Sequence, residues 1–275
     1  MSPKPGLQMP SVVKNFQLSY PYPTVLLVLI NRPRQLNSLT TEANFELDRI
    51  IHAFDAEPSL RVAIVSGVGK AFCVGADIKE WISNNTNGIP FEYPDNGFGG
   101  LSFRRGRKPV IAAVNGPAHG GGCEMVLNCD LIIAAASATF ALPEIKRGVI
   151  PMGGSLPRLM KTLGRQLASE LALTGRCATA HEFKTYGLCN FVVPDGEDVV
   201  GKALEYAKII ADNSPDAVIA VREGLQLGWE GIGVEDAESR FITSWFKNIY
   251  EGENMREGLN AFLEKRDPRW KDSKL

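Results

Sequence analysis

The chain has 275 residues, 44% hydrophobic and 22% charged, with 30 Lys and Arg against 31 Asp and Glu for a formal net charge of -1. That balance fits one large globular domain, or a domain with an appendage, and excludes disordered, collagenous and low-complexity classes. It also leaves no basic footprint for nucleic acid or an anionic membrane, and no apolar run approaches the ~20 residues of a membrane span.

Residues 1–10 are proline-rich without an apolar stretch, so no secretory signal is expected. The 14–20 and 24–30 runs, apolar or alternating and separated by Pro21-Tyr22-Pro23, predict a strand pair that Asn31-Arg32-Pro33 ends. In 41–56 the apolar residues Phe45, Leu47, Ile50, Ile51 and Phe54 form a helical stripe that Thr40 or Thr41 can cap. A short buried strand over 62–66 ends at Gly67. The 84–100 segment mixes Asn, Gly, Pro, Phe and Tyr without periodicity and predicts a long loop of the kind used as a lid or binding loop.

Strand, turn and helix then return as 110–114, 115–122 and 124–128, followed by a strand over 131–136; repeated units of this kind predict an α/β domain. After Pro194-Asp195-Gly196 the pattern becomes helical only, over 198–212, 215–227, 234–250 and 254–265. The predicted division is a core of residues 1–197 and a helical region of 198–275.

Several familiar chemistries lack their residues. Gly69-Lys70 has Ile64 where a phosphate loop needs its first glycine, and Gly67-x-Gly69 has Phe72 where a dinucleotide turn needs its third. Ser155 is followed by Leu156-Pro157, with proline where a nucleophile elbow needs glycine. The five cysteines never form C-x-x-C and the three histidines lie far apart, so neither a disulfide framework nor a metal site is expected.

What remains is Asn115-Gly116-Pro117-Ala118-His119-Gly120-Gly121-Gly122-Cys123-Glu124. Successive glycines between a strand and a helix admit a ligand to the backbone, and amides at a helix start face developing negative charge, which is the physics of an oxyanion hole. Alone, such a turn serves tight packing as readily, and Glu124 can simply complement a helix dipole. A second glycine turn, Lys70 through Gly75-Ala76-Asp77-Ile78-Lys79, and a second acid in Thr139-Phe140-Ala141-Leu142-Pro143-Glu144-Ile145 call for one explanation of all three segments.

With these in place the chain resembles the crotonase, or enoyl-CoA hydratase/isomerase, superfamily. The ordered matches are Asn31-Arg32-Pro33-x-x-Leu36-Asn37-x-Leu39, Ala71-Phe72-x-x-Gly75-Ala76-Asp77-Ile78-Lys79, Lys108-Pro109-Val110-Ile111-Ala112-Ala113-Val114-Asn115-Gly116, Gly120-Gly121-Gly122-Cys123-Glu124, Pro143-Glu144-Ile145, Leu173-Thr174-Gly175 and Glu257-Gly258-x-x-Ala261-Phe262-x-Glu264-Lys265-Arg266. The resemblance implies a crotonase-like spiral of β-β-α units followed by a C-terminal helical trimerisation region, assembling as a trimer or a dimer of trimers. It implies a hydratase that adds water to a 2-trans-enoyl-CoA, with no metal or redox cofactor, coenzyme A being part of the substrate. Backbone amides of Ala76 and Gly121 would form the oxyanion hole, Glu124 would handle water and Glu144 would protonate the α-carbon.

Arg34, Leu36, Asp77, Ile78, Lys79, Gly120, Phe246 and Lys265 match positions beside the CoA thioester, Lys265 reaching it from a neighbouring subunit as the resemblance implies. The alternatives are a 3-enoyl-CoA to 2-enoyl-CoA isomerase, for which one glutamate suffices, and a non-catalytic binding protein of the same fold. His119 replaces a residue that is apolar in typical hydratases and is expected to pack the loop, while Met152-Gly153-Gly154-Ser155-Leu156-Pro157 departs from the usual glycine turn. Ser273-Lys274-Leu275 matches the carboxy-terminal tripeptide read by the peroxisomal import receptor, so a peroxisomal location is expected.

Overall fold

The computed structural model describes residues 9–10, 13–90 and 92–275. Strands β1 (Phe16–Tyr22) and β2 (Val25–Ile30) pair antiparallel, as predicted. The first strand, however, runs through Pro21, with a register shift between Ser19 and Tyr22. It forms the sheet edge, where a residue without an N–H can be tolerated.

Helix α1 (Thr41–Ala56) starts at Thr40, whose hydroxyl accepts from Ala43 N at 3.2 Å, and buries Leu47, Ile50, Ile51 and Phe54. Strand β3 (Val62–Gly67) follows, then α2 (Ile78–Thr86), which carries helix three residues into the stretch expected to be loop. Next come β4 (Val110–Val114), β5 (Ala118–His119), α3 (Gly121–Leu127), β6 (Leu131–Ala135) and β7 (Thr139–Ala141). The chain continues through α4 (Ser155–Leu163), α5 (Arg165–Thr174), β8 (Ala178–Thr179), α6 (Ala180–Thr185) and β9 (Phe191–Val193).

The strands form a sheet of order β1-β2-β3-β4-β6-β9, parallel from β2 onwards, and a small sheet of order β5-β7-β8. The large sheet is covered on both faces, which explains why strands such as Val110–Val114 are apolar at every position. Val28, Val65, Ala112 and Ala134 face the core that α1 closes. The alternate residues Leu27, Ile64, Ala113 and Ile133 meet α7 (Val199–Ala211) through Ala203, Ala207 and Ala211. α7, on the helical side of the expected boundary at residue 198, thus packs against the large sheet, where its alanine stripe lets the helix lie close.

The helical region proper is α8 (Pro215–Trp229), α9 (Val234–Phe241), a π-helical turn at Ile242–Phe246, α10 (Lys247–Tyr250) and α11 (Glu253–Leu263). Beyond it the chain folds back: the Trp270 indole donates to Asp212 O at 2.7 Å, Ser273 Oγ donates to Asp216 Oδ1 at 2.5 Å, and Arg107 donates to the Leu275 carbonyl. Among the described residues no helix is long and apolar enough to cross a membrane.

Candidate active site

The two glycine turns meet. Gly75 has φ +95°, open to a residue without a side chain, and a Cβ there would stand 3.1 Å from His119 O and 3.3 Å from Gly121 N. A parallel bridge between Cys73 and Ala118 runs alongside, and Asn37 anchors the first turn from beneath, its buried amide donating to Ala71 O at 2.7 Å and Val68 O at 3.0 Å. Neighbouring amides are spent: Asp77 N donates to Leu39 O and Gly120 N to Ala141 O, both at 2.9 Å. Among the described residues Ala76 N has no backbone acceptor, and Gly121 N, at the first position of α3, has none within its helix. Two outward amides on abutting turns are what an oxyanion hole requires.

The small sheet brings the second acid to this place. Parallel pairing of β5 with β7 sets His119 beside Ala141, so the 3₁₀ turn after β7, Pro143–Arg147, carries Glu144 over Gly120. A Cβ on Gly120 would stand 3.0 Å from Glu144 Oε1. Glu124, in the first turn of α3, is 4% exposed. Its Oε1 accepts from Gly153 N at 2.7 Å and from Ser155 Oγ at 2.8 Å. Glu144 Oε2 is buried with no hydrogen-bond partner among the described residues.

The environments of the two carboxyls differ. Burial raises Glu144 to about 7, and the neighbouring Glu124 charge adds to the effect. Burial also raises Glu124, but the Ser155 hydroxyl, the Gly153 amide and the Arg158 charge oppose it. Near neutrality one carboxyl can therefore hold a proton while the other is a carboxylate, the division that acid–base chemistry needs.

Tyr93 also faces this region. Its ring lies edge-on to Phe98 at 5.8 Å, and the Phe98 ring lies so close beneath Gly121 that a Cβ there would be 2.6 Å from it. Burial and the charges of Glu124 and Glu144 push the Tyr93 phenol far up, so it is a neutral hydroxyl at working pH. His119, half-buried, has Nε2 3.0 Å from Thr139 Oγ1, which ties it to β7, and burial lowers its pKa.

Of the other expected contacts, Asp77 is engaged elsewhere. It pairs with Arg32 at 3.1 Å and caps α2 through Glu80 N at 3.4 Å, so it fixes the turn bearing Ala76 rather than offering a free carboxylate to a substrate. Arg34, Leu36, Ile78 and Lys79 are exposed around that turn. Phe246 stacks on Tyr250 at 5.3 Å, and Lys265 ends α11 with φ +55°; both are exposed in the helical region. The residues that sequence reasoning missed are Gly153, Ser155, Arg158 and Tyr93. The departure at Met152–Pro157 was a pointer to the first two, but their hold on Glu124 spans 29 and 31 residues of chain.

Known proteins resemble the chain over nearly its whole length. Residues 22–273 match the enoyl-CoA hydratase/isomerase family. The chain is 46% identical over 263 residues to mevalonyl-coenzyme A hydratase sidH of Aspergillus fumigatus, covering 96% of this chain and 97% of that protein. It is 36% identical over 253 residues to the mitochondrial enoyl-CoA hydratase of Pongo abelii, covering 90% and 84%. The crystal structure of enoyl-CoA hydratase from Mycobacterium tuberculosis H37Rv superposes with a TM-score of 0.86 at 31% identity, covering 94% of this chain and 99% of that one. Abutting glycine turns, the paired glutamates and these matches lead to one conclusion: the chain belongs to the enoyl-CoA hydratase/isomerase family.

Proposed function

We propose that the protein is an acyl-CoA hydratase that uses Glu124 and Glu144 as a base and acid pair, with a mevalonyl-CoA-type thioester as the substrate class. The observation that carries the first half is the unequal pair itself: Glu124 held by two donors on one oxygen, and Glu144 raised to about 7 with a buried oxygen unpartnered among the described residues. The second half is supported by 46% identity over nearly the whole chain to mevalonyl-coenzyme A hydratases of Aspergillus fumigatus and Beauveria bassiana.

In the hydration direction, the thioester carbonyl oxygen would accept from Ala76 N and Gly121 N. The water oxygen bonds to C3 and its proton passes to Glu124, while the double-bond electrons move through an enolate-like thioester and C2 takes the proton of Glu144. The dyad begins and ends with one proton, so dehydration runs through the same state with the roles reversed. Each amide is worth about 3 to 4 kcal/mol at the transition state if removed alone. An isomerase needs one glutamate; the second, Glu124 held at the start of α4, favours hydration.

The mevalonyl chain carries a methyl and a hydroxyl on C3 and a further hydroxyl on C5, and Tyr93 offers a neutral phenol near both carboxylates. Trimeric assembly is part of the proposal, supported by apolar side chains left outward on the helical region, among them Leu225, Val234, Phe262 and Leu263, each more than 70% exposed in the single chain. Peroxisomal delivery through Ser273-Lys274-Leu275 is also proposed. Rates measured with mevalonyl-CoA, its 2-enoyl dehydration product and straight-chain 2-enoyl-CoA thioesters test the reading. Preference for the branched hydroxylated pair supports it, and turnover of straight chains alone would overturn the substrate class.

A further inference from the structure

Glu124 does not stand alone at its helix. Its carboxylate sits at the start of α4, where Gly153 N and Ser155 Oγ donate to Oε1. One turn into the same helix, the Arg158 side chain turns back and its Nη1 donates to Gly153 O at 3.0 Å. Both sides of the Gly153 residue are thereby used: the amide holds Glu124 and the carbonyl is held by Arg158.

Three features show that this placement is built. A Cβ on Gly154 would stand 2.6 Å from Arg158 Nη1, and Gly154 has φ +82°, so glycine both permits the turn and clears the guanidinium's space. The guanidinium packs over the Phe103 ring at 5.9 Å. A cation in the first turns of a helix also opposes the helix dipole, so this position is unfavourable for α4 itself.

We propose that Arg158 is a positioning residue of the hydratase site, fixing the peptide that holds Glu124 and setting a cation beside that carboxylate so that it stays the base of the pair. The inference rests on Glu124 being the base. The charge balance around Glu124 supports it: Glu144 approaches from the turn after β7, the Tyr93 phenol from the loop after α2 and the Cys123 thiol from α3, and Arg158 supplies the positive charge that lowers the Glu124 pKa. Arg158 is itself partly desolvated there, which lowers its own pKa, and the Glu124 charge offsets that cost. Arg147 acts on Glu144 instead.

The test is the pH profile of kcat and KM for hydration of a 2-enoyl-CoA by the full chain and by Arg158→Met, Arg158→Gln and Arg158→Lys, with Glu124→Gln in parallel. Removing the charge in Met or Gln should move the acid limb up by about one pH unit, the scale of one partly screened charge nearby. Those variants should lose about 10-fold in kcat below the limb and less above it, with KM within about twofold. Arg158→Lys should keep the limb near its wild-type position while kcat falls several-fold, because charge is retained but the Nη1 bond to Gly153 O is lost or displaced.

A folded Met or Gln variant whose acid limb stays at the wild-type pH overturns the proposal, as does a Lys variant whose limb moves as far as theirs. Should Met not fold, the Gln and Lys pair decides on the same criterion. Glu124→Gln activity with the limb intact would instead overturn the assignment of Glu124 as base, a failure separable from that of Arg158.

Discussion

Gly153 donates its amide to Glu124 Oε1 at 2.7 Å, and a Cβ on Gly153 would stand 2.7 Å from Glu124 Oε2. One backbone position thus supports the base and keeps the space beside its second oxygen open. Gly153→Ala should therefore reduce hydration by at least about 10-fold and lower stability by about 1 to 3 kcal/mol, since the methyl also meets Ser102 Oγ at 2.7 Å. Initial rates and a urea titration check this; wild-type values of both would contradict it.

Ser155→Ala removes one of the two donors on Glu124 Oε1 without adding bulk. A lost hydrogen bond to a buried carboxylate is worth about 1.5 to 3 kcal/mol and raises the pKa of Glu124, so kcat should fall by about 10- to 100-fold on the acid side of the profile and less on its alkaline side, where the carboxyl is ionised again. Steady-state rates across pH measure the effect.

Glu144→Gln keeps size and removes the proton. Hydration should fall by about 100-fold or more while binding of a CoA thioester changes little. The same variant has a stability signature. The folded pKa of Glu144 is about 7, above the ordinary value of 4.5, so its contribution is fully present below the unfolded value and is lost as pH rises through about 7. The glutamine cannot ionise, so the Tm of Glu144→Gln should exceed that of the wild type at pH 8 by more than it does at pH 5, as calorimetry can show.

Tyr93→Phe should lower kcat/KM for a 5-hydroxylated acyl-CoA by about 10-fold relative to the matched chain without that hydroxyl, the scale of one hydrogen bond. Equal losses on both substrates would show that the phenol does not read the C5 hydroxyl.

How much of this was readable in advance follows the distance over which each cause acts. The turns at Gly75 and Gly120–Gly122 announce themselves because backbone approach demands glycine locally, and Thr40 announces α1 because a cap acts within three residues. The two glutamates were located through ordered resemblance, not by spacing. Ser155 reads in sequence only as a serine outside a nucleophile elbow, because the carboxylate it serves is 31 residues away. The place of α7 is not legible in sequence, because Ala203, Ala207 and Ala211 make the same helical pattern whether a sheet or another subunit lies beneath.

The docking of the chain end has its own consequence. Ser273 Oγ bonds Asp216, Lys274 pairs with Glu253 at 2.6 Å and Leu275 meets Arg107, so deleting these three residues should lower Tm by a few degrees. An unchanged melting curve would show those contacts to carry no stability.

The central claim is water addition by a shared-proton pair of glutamates, and hydration in D₂O tests it most directly. With a 2-enoyl-CoA and wild-type enzyme, the account predicts a 3-hydroxyacyl-CoA carrying one non-exchanging deuterium at C2, delivered from Glu144, and almost none with Glu144→Gln. A product isomeric with the substrate and containing no added water, or undiminished hydration by Glu144→Gln, would contradict it.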